Sequence, residues 1–236
     1  MSVLAAVPAW AQEDDCLKCH KALANVKDGH AGLKAGCKSC HAETDGSTVP
    51  HKTTGKIANG LSASQPELCV GCHNKPKFSK VNSHSASAKG CTGCHTVHVS
   101  KEEKLLKSEV PDLCYSCHAE AQFKAKFRHK PVIQGVCLDC HDAHSAEHPV
   151  MLITGIEVIC LECHSDIKDQ PHLVAGFSRR GHPLGDEKGI AIAADPLRPG
   201  KQFYCGSCHH PHKADFRKLN RLDPDATTFC QRCHEK

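Results

Sequence analysis

The pattern Cys-x-x-Cys-His recurs nine times along this 236-residue chain and consumes all 18 of its cysteines. The pairs are Cys16/Cys19, Cys37/Cys40, Cys69/Cys72, Cys91/Cys94, Cys114/Cys117, Cys137/Cys140, Cys160/Cys163, Cys205/Cys208 and Cys230/Cys233. The histidines that close them are His20, His41, His73, His95, His118, His141, His164, His209 and His234. Two thiols one helical turn apart share a face of a short helical segment, and the residue after them can swing its imidazole toward whatever the thiols hold. This spacing is the attachment signal for c-type haem, in which the thiols add to the two porphyrin vinyl groups and the histidine takes one axial position on iron. Zinc sites, iron–sulfur clusters and secreted disulfide frameworks also use paired cysteines. None of them needs a histidine directly after every second cysteine. Nine covalent c-type haems, and nine irons, are the expectation.

That cofactor load decides the fold class. Aromatic residues make only 4% of the chain, with 17 Gly and 13 Pro, a thin supply for a conventional core. About 26 residues per haem are too few to wrap each macrocycle in packed helices and sheet. The chain should be mostly coil with short α-helices and little or no β, the haems forming most of the core, and without them it should be largely unfolded.

Residues 1–11 read as a signal-peptide remnant, because Val3 to Ala11 is apolar and ends in the small-x-small run Ala9, Trp10, Ala11 before Gln12 Glu13 Asp14 Asp15. A charged n-region is missing, so Met1 is read as lying downstream of the true start. The longest later apolar run, near Val150 to Cys160, is too short to span a bilayer, and no spare cysteine remains for a lipid anchor. The formal net charge of +4 does not indicate a nucleic-acid partner. Each bis-histidine haem with ionised propionates adds negative charge, taking the loaded protein to about −5 oxidised and about −14 reduced.

The motifs form a linear array, their starts separated by 21, 32, 22, 23, 23, 23, 45 and 25 residues. Pro66 and Pro111 stand three residues before Cys69 and Cys114, where proline suits the start of a short helix. Gly36 and Gly90 directly precede Cys37 and Cys91, and Gly135 stands two before Cys137, positions that suggest a tight approach of backbone to porphyrin. Eleven histidines remain outside the motifs, more than nine sixth ligands require. His30 and His84 lie seven residues before Cys37 and Cys91, and His129 eight before Cys137. His98, His144 and His212 follow a proximal histidine by three, too close to reach the far side of the same iron, so they should ligate a neighbouring one.

The alternation of a Leu-Cys-x-x-Cys-His or similar motif with a motif in which a histidine precedes Cys-x-x-Cys-His-x-x-His by six or seven intervening residues resembles the doubled CXXCH family of multihaem c-type cytochromes. The resemblance is clearest from Cys69 to His98 and from Cys114 to His144, and it implies paired haem units over about 12–60, 61–105, 106–153 and 154–222, with a terminal haem at 223–236. It implies His182 as the upstream ligand for the Cys205 unit. In the first pair, where His41 has no histidine three residues later, His51 substitutes. The ninth distal ligand comes from His148, His172 or His210, or one iron stays open; the proline-bounded context of His172 favours it.

With only Met1 and Met151 available, the irons should be bis-histidine and low in potential. Saturated irons fit an electron carrier. A multihaem reductase would need an open iron, and a polymerising extracellular filament would look the same in sequence. The resemblance implies a periplasmic or extracellular location. It implies as partners other redox proteins, namely a quinol-oxidising membrane complex and periplasmic or outer-surface cytochromes.

Overall fold

The computed structural model describes residues 13–24, 26–167, 195, 200, 204–224 and 231. The signal remnant at 1–11, His172, His182, Cys230, Cys233 and His234 lie outside them. Among the described residues six α-helices, none longer than seven residues, follow in chain order: α1 (Glu13–Cys19), α2 (Glu67–Val70), α3 (Asp112–Tyr115), α4 (Lys130–Ile133), α5 (Ile156–Leu161) and α6 (Cys205–Cys208). Short 3-10 turns and coil fill most of the rest, as the cofactor load requires. Among the described residues no helix is long and apolar enough to cross a membrane.

The strands are two residues each and pair antiparallel. β1 (Thr44–Asp45) joins β2 (Lys52–Thr53), with Thr44 opposite Thr53. β3 (Asn82–Ser83) joins β5 (Ser145–Ala146), with Ser83 opposite Ser145. β4 (Phe127–Arg128) joins β6 (Lys213–Ala214), with Phe127 opposite Ala214. Such ladders fasten loops and do not make a sheet with a buried face.

The described residues group into two compact units, one within Met1–Ser79 and His84–Leu113, the other within Lys80–Ser83 and Cys114–Lys236. Among them only Ala146 and Leu152 are buried hydrophobic side chains, while Val49 is 85% exposed and Val150 73%. Two small apolar groups cannot offset the chain entropy of either unit. The protein must pack on something that is not polypeptide.

The sequence punctuation has local causes. Pro66 caps α2 and Pro111 stands directly before α3. Gly36, Gly90 and Gly135 have φ of 96°, 94° and 72°, a region that side chains disfavour. They are needed because a short helix begun by the upstream histidine must reverse into the cysteine motif. His30 caps the 3-10 turn Ala31–Ala35, and His84 caps Ser85–Lys89. The seven-residue spacing from histidine to cysteine is therefore one short helix plus one left-handed glycine.

Candidate haem sites

Each of the eight described motifs forms a single helical turn. The backbone N–H of the histidine donates to the carbonyl of the first cysteine at 2.9–3.0 Å in every copy, from His20 on Cys16 to His209 on Cys205. This i to i+4 closure places both thiols and the imidazole on one side of the turn. Burial, followed by the neighbouring Cys91 thiol, pushes Cys69 up to about 11, and burial likewise raises Cys140.

The thiols are not equally sheltered. Cys19, Cys72, Cys117 and Cys163, the second cysteines of the first, third, fifth and seventh motifs, are exposed, whereas Cys40, Cys94, Cys140 and Cys208 are half-buried. The cause is the chain that follows. At Cys40, Cys94, Cys140 and Cys208 it folds back, and a backbone N–H donates to the carbonyl of the second cysteine. No such return covers Cys19, Cys72, Cys117 or Cys163 among the described residues. At these four positions the polypeptide supplies no wall, and an attached porphyrin itself would cover the sulfur.

Histidines that are distant in sequence face one another. In the first unit His20 lies 5.8 Å from His51, His30 lies 5.9 Å from His73, and His41 lies 6.0 Å from His98, ring centre to ring centre. In the second unit His129 lies 6.2 Å from His164, and His141 lies 5.9 Å from His212. Each pair joins one proximal histidine to one histidine outside the motifs. Two imidazoles bound to opposite sides of one metal, each nitrogen about 2.0 Å from it, have ring centres about 6 Å apart. The donor set and its spacing fit a haem iron between each pair.

The pairings skip along the chain. His30 precedes the Cys37 motif but faces His73 of the next one, and His129 likewise faces His164. His98 and His212, three residues after His95 and His209, face the earlier His41 and His141. His144 donates its backbone N–H to Asp142 at 2.9 Å. His210 plays the equivalent local part: its Nδ1 accepts the N–H groups of His212 and Lys213 at 3.2 and 3.3 Å. His148 caps the turn Pro149–Met151.

Burial biases five of the rings toward the neutral form. Burial, then the neighbouring imidazoles, pushes His212 down to about 4. Burial also lowers His98, His129, His209 and His210. A neutral imidazole is the ligating form. The tautomer is fixed too. His41, His95, His141 and His209 have Nδ1 at 2.8, 2.9, 3.0 and 2.8 Å from the carbonyls of Asn59, Lys104, Val150 and Lys218. A carbonyl can only accept, so Nδ1 carries the proton and Nε2 keeps its lone pair for iron.

The doubled CXXCH motif family matches residues 30–78, 84–123, 129–169 and 195–236, well over half of the chain. The chain belongs to the doubled CXXCH family. Its motifs are accordingly attachment sites for c-type haem, and the protein is a multihaem c-type cytochrome. Each matched segment of this cytochrome holds two motifs, with Cys16–His20 ahead of the first segment. In the segments 30–78 and 129–169 the opening histidine faces the proximal histidine of the second motif, so each of these segments brings together both rings of one pair. A search of curated proteins finds no match to the cytochrome.

Proposed function

We propose that this cytochrome is an electron carrier holding nine covalent haems, at least eight of them ligated by two histidines. The observation that carries the reading is the set of five ring pairs at 5.8–6.2 Å, each joining a proximal histidine to a histidine from elsewhere in the chain. Haem bound there supplies one-electron redox chemistry at iron. At each of these five sites the chain supplies a ring for both axial positions, which leaves no place there for substrate, and the motifs follow at near-regular intervals along the sequence.

The apolar lead at 3–11 and covalent haem attachment support a periplasmic or extracellular location. Family membership supports other redox proteins as partners, among them a quinol-oxidising membrane complex and outer-surface cytochromes.

Mass spectrometry of the purified protein tests the cofactor count, with nine additions of about 616 Da each expected. The ferric spectrum tests ligation. Low-spin bands that do not move on adding carbon monoxide to the reduced form or nitrite to the ferric form support a carrier. A high-spin band, or a nitrite-dependent shift, would replace it with a reductase.

A further inference from the structure

Four of the proximal histidines are held by the same backbone device. In each, the carbonyl that accepts from Nδ1 belongs to a residue in the left-handed region: Asn59 (φ 59°), Lys104 (φ 55°), Val150 (φ 52°) and Lys218 (φ 54°). The following residue is left-handed as well, at Gly60, Leu105, Met151 and Leu219. Consecutive left-handed residues that are not glycine are costly, and valine more than most. Such strain persists only where surrounding bonds fix it.

Those bonds are present and repeat. Thr96, Asp142 and His210, each directly after a proximal histidine, donate their N–H at 2.8 Å to the carbonyls of Leu105, Met151 and Leu219. Lys107, Ile153 and Arg221 donate to the carbonyls of Cys94, Cys140 and Cys208, the second cysteines of the same motifs, at 2.9, 3.1 and 2.8 Å. In the first copy Glu43 bonds Gly60 and Ser62 bonds Cys40, at 3.0 and 2.9 Å. In three copies the accepting carbonyl lies nine residues after its histidine; in the first it lies eighteen after.

The histidines so held close the second, fourth, sixth and eighth motifs. The proximal rings of the first, third and seventh, His20, His73 and His164, are exposed and make no hydrogen bond among the described residues. On the other side of two of these sites a ring bond does occur: His51 Nδ1 donates to the Thr48 carbonyl at 2.7 Å, and the Pro211 carbonyl faces the ring of His129. The pair His30 and His73 has no ring hydrogen bond on either side among the described residues, which makes it the cleanest contrast.

We propose that the left-handed turns at Asn59–Gly60, Lys104–Leu105, Val150–Met151 and Lys218–Leu219 are positioning elements that set a low-potential class of haem site at every second motif. An imidazole that donates Nδ1–H to a carbonyl is a stronger electron donor through Nε2 and favours ferric over ferrous iron. The reduction potential at these sites is therefore lower than at the site of His30 and His73, where neither ring has that acceptor among the described residues. Electrons added to the array settle on the iron between His30 and His73 before they reach these four. This inference rests on the reading of the protein as a bis-histidine electron carrier.

The test uses the fully loaded protein. Proton NMR of the reduced, diamagnetic state follows exchange of the imidazole Nδ1–H groups into deuterium. Slow exchange at His41, His95, His141 and His209 with fast exchange at His73 is expected. Alongside it, Val150→Pro, which cannot adopt positive φ, should raise the potential of one site in a spectroelectrochemical titration, whereas Val150→Gly should leave the curve unchanged. Equal exchange at His73 and His141 overturns the proposal, as does a loaded Val150→Pro protein that titrates like the parent. Fewer than nine haems or high-spin iron would instead overturn the carrier reading, so the two failures are distinguishable.

Discussion

The backbone N–H of His30 donates to the carbonyl of His98 at 2.8 Å, although the two rings face different proximal histidines, His73 and His41. The second unit repeats the relationship: His129 donates to His212 at 2.9 Å, while their rings face His164 and His141. In both cases strand pairing continues the contact, through the bridge from Gly29 to Val99 and through β4 and β6. One backbone bond thus positions rings at two sites at once.

Substitutions at position 30 separate the ring from the bond. His30→Ala keeps the N–H and removes only the ring facing His73, so one iron should become open and bind carbon monoxide. His30→Pro fits the φ of −58° but has no N–H, so the His41 and His98 site should loosen too, at a cost of about 1 kcal/mol. Carbon monoxide difference spectra should count one responsive haem in the alanine variant and two in the proline variant. A count of one in both would show that the bond does not couple the sites.

Gly90 connects the short helix capped by His84 to the Cys91 motif at φ 94° and ψ 155°, a conformation held almost only by glycine. An added Cβ would also lie 3.0 Å from the Gln65 Oε1 atom, and the Gln65 side chain is hydrogen-bonded to Thr92. Gly90→Ala should destabilise the loaded protein by about 1–3 kcal/mol. Gly46→Ala, whose Cβ meets nothing within 4 Å, should change little. Denaturant midpoints of the two variants against the parent are the measurement.

Asp142 accepts the N–H of His144 and lies 3.5 Å from the Lys80 ammonium. Partial burial works against the anion, but the His144 and Ser145 N–H groups and Lys80 outweigh it and hold the carboxyl below its ordinary value. The depressed folded value means that the stabilisation is present above the unfolded value near 4 and is lost as pH falls through the lower folded value. Asp142→Ala should cost about 1 kcal/mol near neutral pH, and the gap to the parent should close in acid. Unfolding midpoints of both proteins across that range decide it; a gap that persists unchanged at low pH would refute the assignment.

The polypeptide alone should not hold its fold. With Ala146 and Leu152 the only buried hydrophobic side chains among the described residues, chain made without haem attachment should show little helix by circular dichroism and poor dispersion by NMR. A cooperative thermal transition in that apo chain would contradict the account of the core.

Much of this was legible in the residues. The Cys-x-x-Cys-His spacing dictates the helical turn, and the histidine-to-cysteine interval with its glycine encodes a short helix and a reversal. The rule that His98 and His212 cannot serve the irons of their own motifs also follows from spacing. Which ring faces which does not, because partners such as His141 and His212 meet only through tertiary pairing. Nor does spacing tell exposed Cys72 from half-buried Cys94, since their shelter depends on whether the later chain returns to the motif. The left-handed turns were hidden as well. Asn59–Gly60 carries a recognisable signature, but Lys104–Leu105, Val150–Met151 and Lys218–Leu219 take a conformation their side chains oppose, imposed by the backbone bonds around the motif.

The skipping of ring pairs along the chain has a bearing on assembly. A chain threaded from its N-terminus presents His41 well before His98, and His141 well before His212. At each of the five paired sites the second ring to appear lies at least 31 residues beyond the first. Within each unit maturation is therefore a zipper with a built-in delay, in which a later segment closes a site begun by an earlier one, and a chain stopped between His20 and His98, or between His129 and His212, carries at least one unfinished site.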